Sequence, residues 1–216
     1  MDLKASGKIS TLKYKEQFMS AKPFHIVLKG PFNGGYGEFS FDDIPLSLFS
    51  LIIPIPTTLT GLICATGRFR LGKGLPEISA ELVLKEAKIS EEGFFLEKGE
   101  ISFLDELLKV DFQLRSKTSL EPIKFSGDIP ISTTKPIDLR LESHGDGLNF
   151  LYGLSDGNVL WKEGSSDVRL LVRGTLKQPQ ANGFFVIRDG EFNVMDKEFN
   201  NINGSVLFDF NRLEIQ

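Results

Sequence analysis

Residues able to do chemistry are few in this chain, and they stand apart from one another. There are two histidines, His25 and His144, and one cysteine, Cys64. His25 sits on the face of an alternating run opposite Phe24, Ile26 and Leu28, and His144 opens the Gly-rich turn His144-Gly145-Asp146-Gly147. Neither has a cysteine or a second histidine at metal-ligand spacing, so both read as solvated or hydrogen-bonded side chains. Cys64, between Ile63 and Ala65, has the surroundings of a buried inert thiol, and a single cysteine excludes an intrachain disulfide. No Gly-x-Ser-x-Gly nucleophile elbow occurs. Asp146, Asp156, Asp167 and Asp189 each neighbour Gly or Ser, where turn hydrogen bonding accounts for an aspartate without catalysis. The glycines Gly34, Gly35 and Gly37 have no apolar parallel strand before them and no helix start after them. They read as a loose hairpin loop instead of a phosphate cradle. The expectation is a protein that is not an enzyme, with no cofactor and no metal.

Composition narrows the remaining classes. A chain of 216 residues accommodates one large all-β domain or two ordinary ones and can bury a sizeable core. Its 29 acidic and 25 basic residues are mixed along the chain with a net charge of −4, which leaves no basic stripe for nucleic acid. The 19 phenylalanines against 3 tyrosines and 1 tryptophan supply apolar area without a polar tip, which suits a wall meeting hydrocarbon as well as an ordinary core. Met1 to Ile9 is already in strand rhythm and shows no secretory leader. Asn211-Arg212 reads as a turn and Leu213 to Ile215 as the start of a strand, so residues 1–216 read as a single segment excised from a longer protein.

The elements that must position these side chains are written as alternation. Phe24, Ile26 and Leu28 share one face, as do Ile78, Ala80, Leu82 and Leu84. Leu108, Val110, Phe112 and Leu114 alternate with Lys109, Asp111, Gln113 and Arg115 in the cleanest amphipathic strand of the chain. Gly93 and Gly99 are read as bounding a strand over Ile101 to Leu104, and Ser126-Gly127-Asp128 as a turn between Ile123-Lys124-Phe125 and Ile129 to Ile131. Strands follow over Ile137 to Leu141, Val159 to Trp161 and Val168 to Val172. Near the C-terminus the pattern is a strand from Arg173, a turn around Pro179, a strand from Phe184 and an Asp189-Gly190 turn. The total is roughly fourteen to sixteen short strands at sandwich or barrel spacing. Two short helices are expected. One spans about 44–53, capped by Asp42 or Asp43 and stopped by Pro54. The other spans about 147–154, with Leu148, Leu151 and Leu154 on one side and Phe150 alongside. The first is too short for a membrane span of ~20 residues and reads as a cover over a β core. Helices that do not alternate with strands point to an all-β, mainly antiparallel fold.

Arg173-Gly174-Thr175-Leu176, Pro179, Gly183 and Asp189-Gly190 are followed by Phe199-Asn200-Asn201-Ile202-Asn203-Gly204-Ser205-Val206 and Arg212-Leu213-Glu214-Ile215. This series resembles the repeating signature of the TamB family, large AsmA-like envelope proteins with relatives in cyanobacteria and chloroplasts. Gly67-Arg68-Phe69 with Leu75-Pro76, and Ser126-Gly127-Asp128-Ile129-Pro130, are degenerate versions of it. The specific likeness covers about the last 45 residues.

The resemblance implies a β-taco, a long sheet curled into a U with an apolar groove, forming part of a bridge that conducts phospholipids between inner and outer membranes and supports outer-membrane biogenesis. It implies phospholipid acyl chains, neighbouring segments of the same chain and an Omp85-type barrel as partners. The implied place is the periplasm or the intermembrane space of a bacterial or plastid envelope, with the full-length protein anchored in the inner membrane. No catalytic residues carry over. The groove is then expected to be lined by Phe24, Ile26, Leu28, Leu82, Leu84, Leu108, Val110, Phe112, Leu114, Leu139, Leu141, Leu170, Val172, Val206, Phe208 and Phe210. Phe184-Phe185-Val186-Ile187 is apolar at both parities, so period 2 cannot assign its face. Two other classes stay open at this point: a closed β barrel holding one small apolar ligand, and a structural or chaperone module that adds a partner's strand.

Overall fold

The computed structural model describes residues 2–9, 12–14, 17–19, 22–31, 33–47, 59–89, 92–155, 157–209 and 212–215. Alternation becomes strands throughout: β1 (Asp2–Ile9), β2 (Leu12–Tyr14), β3 (Gln17–Met19), β4 (Lys22–Lys29), β5 (Tyr36–Pro45), β6 (Leu59–Arg70), β7 (Glu77–Ile89) and β8 (Glu92–Leu104). They continue as β9 (Leu107–Ser116), β10 (Ile123–Pro130), β11 (Asp138–Gly145), β12 (Val159–Thr175), β13 (Gln178–Val194), β14 (Lys197–Asp209) and β15 (Arg212–Ile215). Thirteen of them form one antiparallel sheet in the order β1-β4-β5 and then consecutively to β15, with β2 and β3 paired separately. The sheet is open, with β1 and β15 at opposite edges, which overturns the closed-barrel alternative.

Directly opposed residues of an antiparallel pair point to the same side of the sheet. One row of such pairs runs Ile26, Phe39, Gly67, Ala80, Ile101, Val110, Gly127, Leu139, Val172, Ala181. It crosses ten strands, or about 43 Å at the usual spacing between strands. Within it Phe39 lies over Gly67, and in the adjacent row Phe69 lies over Gly37, where in each case a Cβ would meet the ring.

Several glycines expected at turns lie inside strands instead. Ser126-Gly127-Asp128 is the middle of β10, because a side chain on Gly127 (φ 149°) would overlap the Asp138 carbonyl of β11. Close backbone approach, and not a reversal, is what this glycine permits. Gly93 and Gly99 sit within β8, and His144 and Asp167 within β11 and β12. Pro179 and Asp189-Gly190 both belong to β13, whose hairpin with β12 turns at Leu176-Lys177. Tight reversals without any glycine occur at Asp105-Glu106 and Met195-Asp196, where both central residues have positive φ, the geometry of the two-residue hairpin turn.

Most register shifts coincide with further positive-φ residues: Asp43, Gly61 and Glu86 in the neighbouring strands β5, β6 and β7, and Gly164, Asp189 and Asn201 in β12, β13 and β14; the shift at Leu96/Lys98 of β8 does not. Each bulge bends its strand and increases its twist. The strand ends beyond them carry Ile44, Leu59, Ile89 and Phe94 into one buried cluster, and Trp161 and Phe192 into another.

Neither expected helix forms at its expected length. Ile44 and Pro45 belong to β5, residues 46–47 start a 3-10 turn, and residues 48–58, Pro54 included, lie outside the described residues. Residues 147–154 make a 3-10 turn, Gly147–Phe150, and one α turn, α1 (Leu151–Leu154). No side chain caps the start of the 3-10 turn, and two turns cannot nucleate a helix unaided, so packing dictates their geometry. Phe150 enters the cluster of Leu46, Ile63, Ala87 and Phe94, while Leu148 joins Trp161 and Val168. Trp161, 4% exposed, stacks on Phe192, which stacks on Phe199. Replacing Trp161 by Ala is predicted to cost about 3–5 kcal/mol and Leu120→Ala, 87% exposed, less than about 0.5 kcal/mol. Denaturant titration followed by far-UV circular dichroism checks this, and equal midpoints for the two variants would contradict the packing described.

Candidate functional site: two chemically opposed faces

The register brings fifteen of the sixteen residues expected to line a groove onto one face. Phe24, Ile26 and Leu28 pair with Phe41, Phe39 and Gly37; Leu82 and Leu84 with Ala65 and Ile63. Phe112 stands in a row with Phe125, Leu141, Leu170, Gly183 and Phe208. Leu108 and Leu114 oppose Ile129 and Ile123, and Val206 opposes Phe185. Val110, Leu139 and Val172 complete the central row. Phe210 lies outside the described residues, as does Asp156, and of Phe208 only the backbone is described. Pairing also decides the double-apolar run: Phe185 and Ile187 oppose Val168 and Ser166 on the apolar face, while Phe184 and Val186 stand beside Arg169 and Asp167 on the other.

The opposite face is a ladder of charges. Lys98 reaches Asp111 at 2.6 Å and Glu100 at 3.3 Å; Arg68 lies 3.7 Å from Glu38, Arg173 3.8 Å from Asp138 and Arg169 3.9 Å from Glu142. Such exposed pairs stabilise little individually, but all except Lys98–Glu100, which lies within β8, set unlike charges across neighbouring strands, which favours this register over slipped ones. A shallow hollow of about 490 Å³ opens mainly on this face between Val27, Tyr36, Arg68, Arg70 and Leu104.

Side chains able to do chemistry stay dispersed. His25 is exposed beside Ser40, and His144 Nδ1 lies 3.0 Å from Asp167 Oδ1. Among the described residues no group of His, Cys, Asp and Glu is placed to hold a metal ion, and no helix is long and apolar enough to cross a membrane. One cluster is invisible in sequence. The bulge at Asp43 brings its N–H to 3.3 Å from Cys64 Sγ, and Lys85 Nζ donates to Asp43 Oδ1 at 2.9 Å. That hydrogen bond from Lys85 to Asp43, aided by Cys64, holds the Lys85 ammonium above its ordinary range. The three residues are 21 and 42 positions apart, so no local pattern could join them.

On the apolar face the turn 147–154 is tethered at its start. The Asp146 carboxylate accepts the N–H groups of Leu120 (2.7 Å) and Glu121 (3.1 Å), and Asn149 donates to Ser119 Oγ at 3.0 Å. Beneath it Ser143 is 3% exposed, and its hydroxyl has no hydrogen-bond partner. Compared with protein-family models, curated proteins and solved structures, the chain matches none.

Hydrogen bonding to Asp111 raises Lys98 above its ordinary 10.5, and hydrogen bonding to Lys162 lowers Glu198 below its ordinary 4.5. A raised lysine contributes stability that is fully present below its unfolded value and is lost as pH rises through the higher folded one. A lowered carboxylate contributes above its unfolded value and loses it as pH falls through the lower folded one. Urea midpoints are therefore predicted to hold between these limits with respect to the two groups and to fall outside them. Lys98→Met should flatten part of the alkaline fall, and an alkaline limb identical to wild type would contradict the assignment.

Proposed function

We propose that the chain is a segment of a lipid groove, conducting phospholipid acyl chains along the apolar face of its sheet. The observation that carries this reading is the unbroken apolar row from Ile26 to Ala181, kept on one side across ten strands by pairing alone. A chain of about fifteen methylenes gains roughly 12 kcal/mol on leaving water, at ~0.8 kcal/mol per CH₂. A conduit must match that at each position, and one unpaired polar group in its wall would add a barrier of roughly a few kcal/mol. Repetition without chemical variation is what such a wall requires. The bulges aligned in β5–β7 and β12–β14 support curling of the strands into a U, the β-taco form, because each bends its strand at a similar level. The charged face would then meet water, and headgroups would stay hydrated at the mouth. The resemblance of the C-terminal strands to the TamB family supports the same reading. It extends the reading to a bridge across a bacterial or plastid envelope, joined to further segments of its own chain and to an outer-membrane barrel.

A strand-adding structural or chaperone module is the second reading, favoured by the open edges at β1 and β15. Organic extraction and mass spectrometry of the purified protein separate the two: the groove predicts co-purifying phospholipids of mixed kind, and the second reading predicts none. Photoreactive residues at Val110 and Phe112 are predicted to capture phospholipid where Lys109 and Asp111 do not; the reverse pattern would sink the groove. Phe112→Asp, which places a carboxylate beside the stacked ring of Phe125, is predicted to abolish lipid transfer between vesicles while Gln113→Asp leaves it intact. Unimpaired transfer by a folded Phe112→Asp protein would remove the conduit.

A further inference from the structure

The wall described above is not uniformly open. Leu82, Leu84 and Leu114 pack against the cluster that holds Phe150, and Leu141 and Leu170 against the cluster that holds Leu148. Phe112, Val110 and Leu139 belong to neither. The turn 147–154 therefore covers the part of the apolar face where an acyl chain would lie. Resting on the groove reading, we propose that residues 147–154 are a displaceable plug, holding the place of an acyl chain on that stretch until lipid displaces them.

Three features distinguish a plug from an ordinary buried turn. The segment is not part of the sheet, and its order comes from packing, because a 3-10 turn and a single α turn have no stability of their own. Apolar contacts of Leu148, Phe150 and Leu151 are non-directional, so a hydrocarbon chain can replace them without any specific partner being lost. The segment lies between Gly145 (φ 60°) and Gly157 (φ 83°), residues that absorb backbone rotation at low cost. The tether is local: Asp146 to the N–H groups of Leu120 and Glu121, and Asn149 to Ser119.

The closed arrangement also carries a built-in penalty. Ser143 stands in the apolar row beyond Leu141, opposite Val168, and its buried hydroxyl finds no partner. Gly147 passes so close that any side chain there would overlap Ser143 Oγ. A buried hydroxyl without a hydrogen bond disfavours the state that buries it. Lifting the turn would expose this hydroxyl to water, so Ser143 weakens the closed turn and Asp146 strengthens it, although hydrocarbon laid over Ser143 leaves the hydroxyl as unpaired as the turn does.

The test places a photoreactive residue at Leu84 or Leu141, under the plug, or at Phe112, outside it, in otherwise wild-type protein and in Asp146→Ala, Asn149→Ala and Ser143→Ala backgrounds. Each is irradiated with vesicles of phosphatidylethanolamine and phosphatidylglycerol, and circular dichroism confirms folding. Capture at Phe112 is expected to be equal in all four backgrounds. Capture at Leu84 and Leu141 is expected to be low in wild type, raised about fivefold by Asp146→Ala through loss of two hydrogen bonds, raised less by Asn149→Ala, and little changed by Ser143→Ala, whose hydroxyl is covered by turn and hydrocarbon alike. Wild-type capture at Leu84 and Leu141 equal to that at Phe112, or capture there unchanged by Asp146→Ala and Asn149→Ala, overturns the plug and leaves the groove standing. Capture at none of the positions in any background removes the groove and the plug together.

Discussion

Antiparallel pairing is the constraint on which the other features of this protein depend. A residue and its direct partner point to the same side, so parity is handed from strand to strand, and a slip of one residue anywhere would turn every later apolar side chain toward water. Thirteen strands keep that register from β1 to β15. Register is held from both sides of the sheet. Phe39 and Phe69 each lie over a glycine of the neighbouring strand, and on the charged face Arg68 opposes Glu38 and Arg169 opposes Glu142. The charges stabilise little but make wrong pairings worse, which matters more in a long open sheet than in a closed one.

Bulges complicate this rule in a way that serves it. At Asp43, Glu86, Asp189 and Asn201 the chain inserts a residue and adopts positive φ, so parity changes along each strand. Because neighbouring strands shift at comparable levels, the faces are re-established beyond the bulge. Trp161 and Val168, seven positions apart, therefore meet in one cluster, although simple alternation would put them on opposite sides. The bends gather the strand ends around Phe150 and Leu148 into two buried clusters, while much of the remaining apolar face stays half-buried and Leu28, Ala80 and Val110 are buried outside them. A surface of this kind suits hydrocarbon better than it suits water.

Strand content, the antiparallel class and the face of nearly every single-parity apolar residue were legible in the sequence, because period-2 alternation is a local property and needs no knowledge of the partner. Phe112 and Val110 could be paired with the correct face from their own strand alone. The glycines were less legible. Gly127 and the Asp189-Gly190 pair carry the same residue types whether the chain reverses or only passes close to its neighbour, and the difference lies in what stands across the ladder. Asp105-Glu106 and Met195-Asp196 reverse the chain with no glycine to announce it.

Residue order alone settles the chemistry of the surface: one apolar parity, one charged parity, and no cluster of reactive residues along the chain. Tertiary structure alone decided how far that surface extends and what covers it. The side taken by Phe185 and Ile187 depended on Val168 and Ser166, more than fifteen residues away in the chain. The approach of Cys64, Asp43 and Lys85 depended on a bulge. The burial of Ser143 beneath residues 147–154 depended on a turn too short to hold its shape without the sheet beneath it. Each is a contact between segments with no common local pattern, so its free energy comes from the assembled sheet and is written in no single stretch of residues.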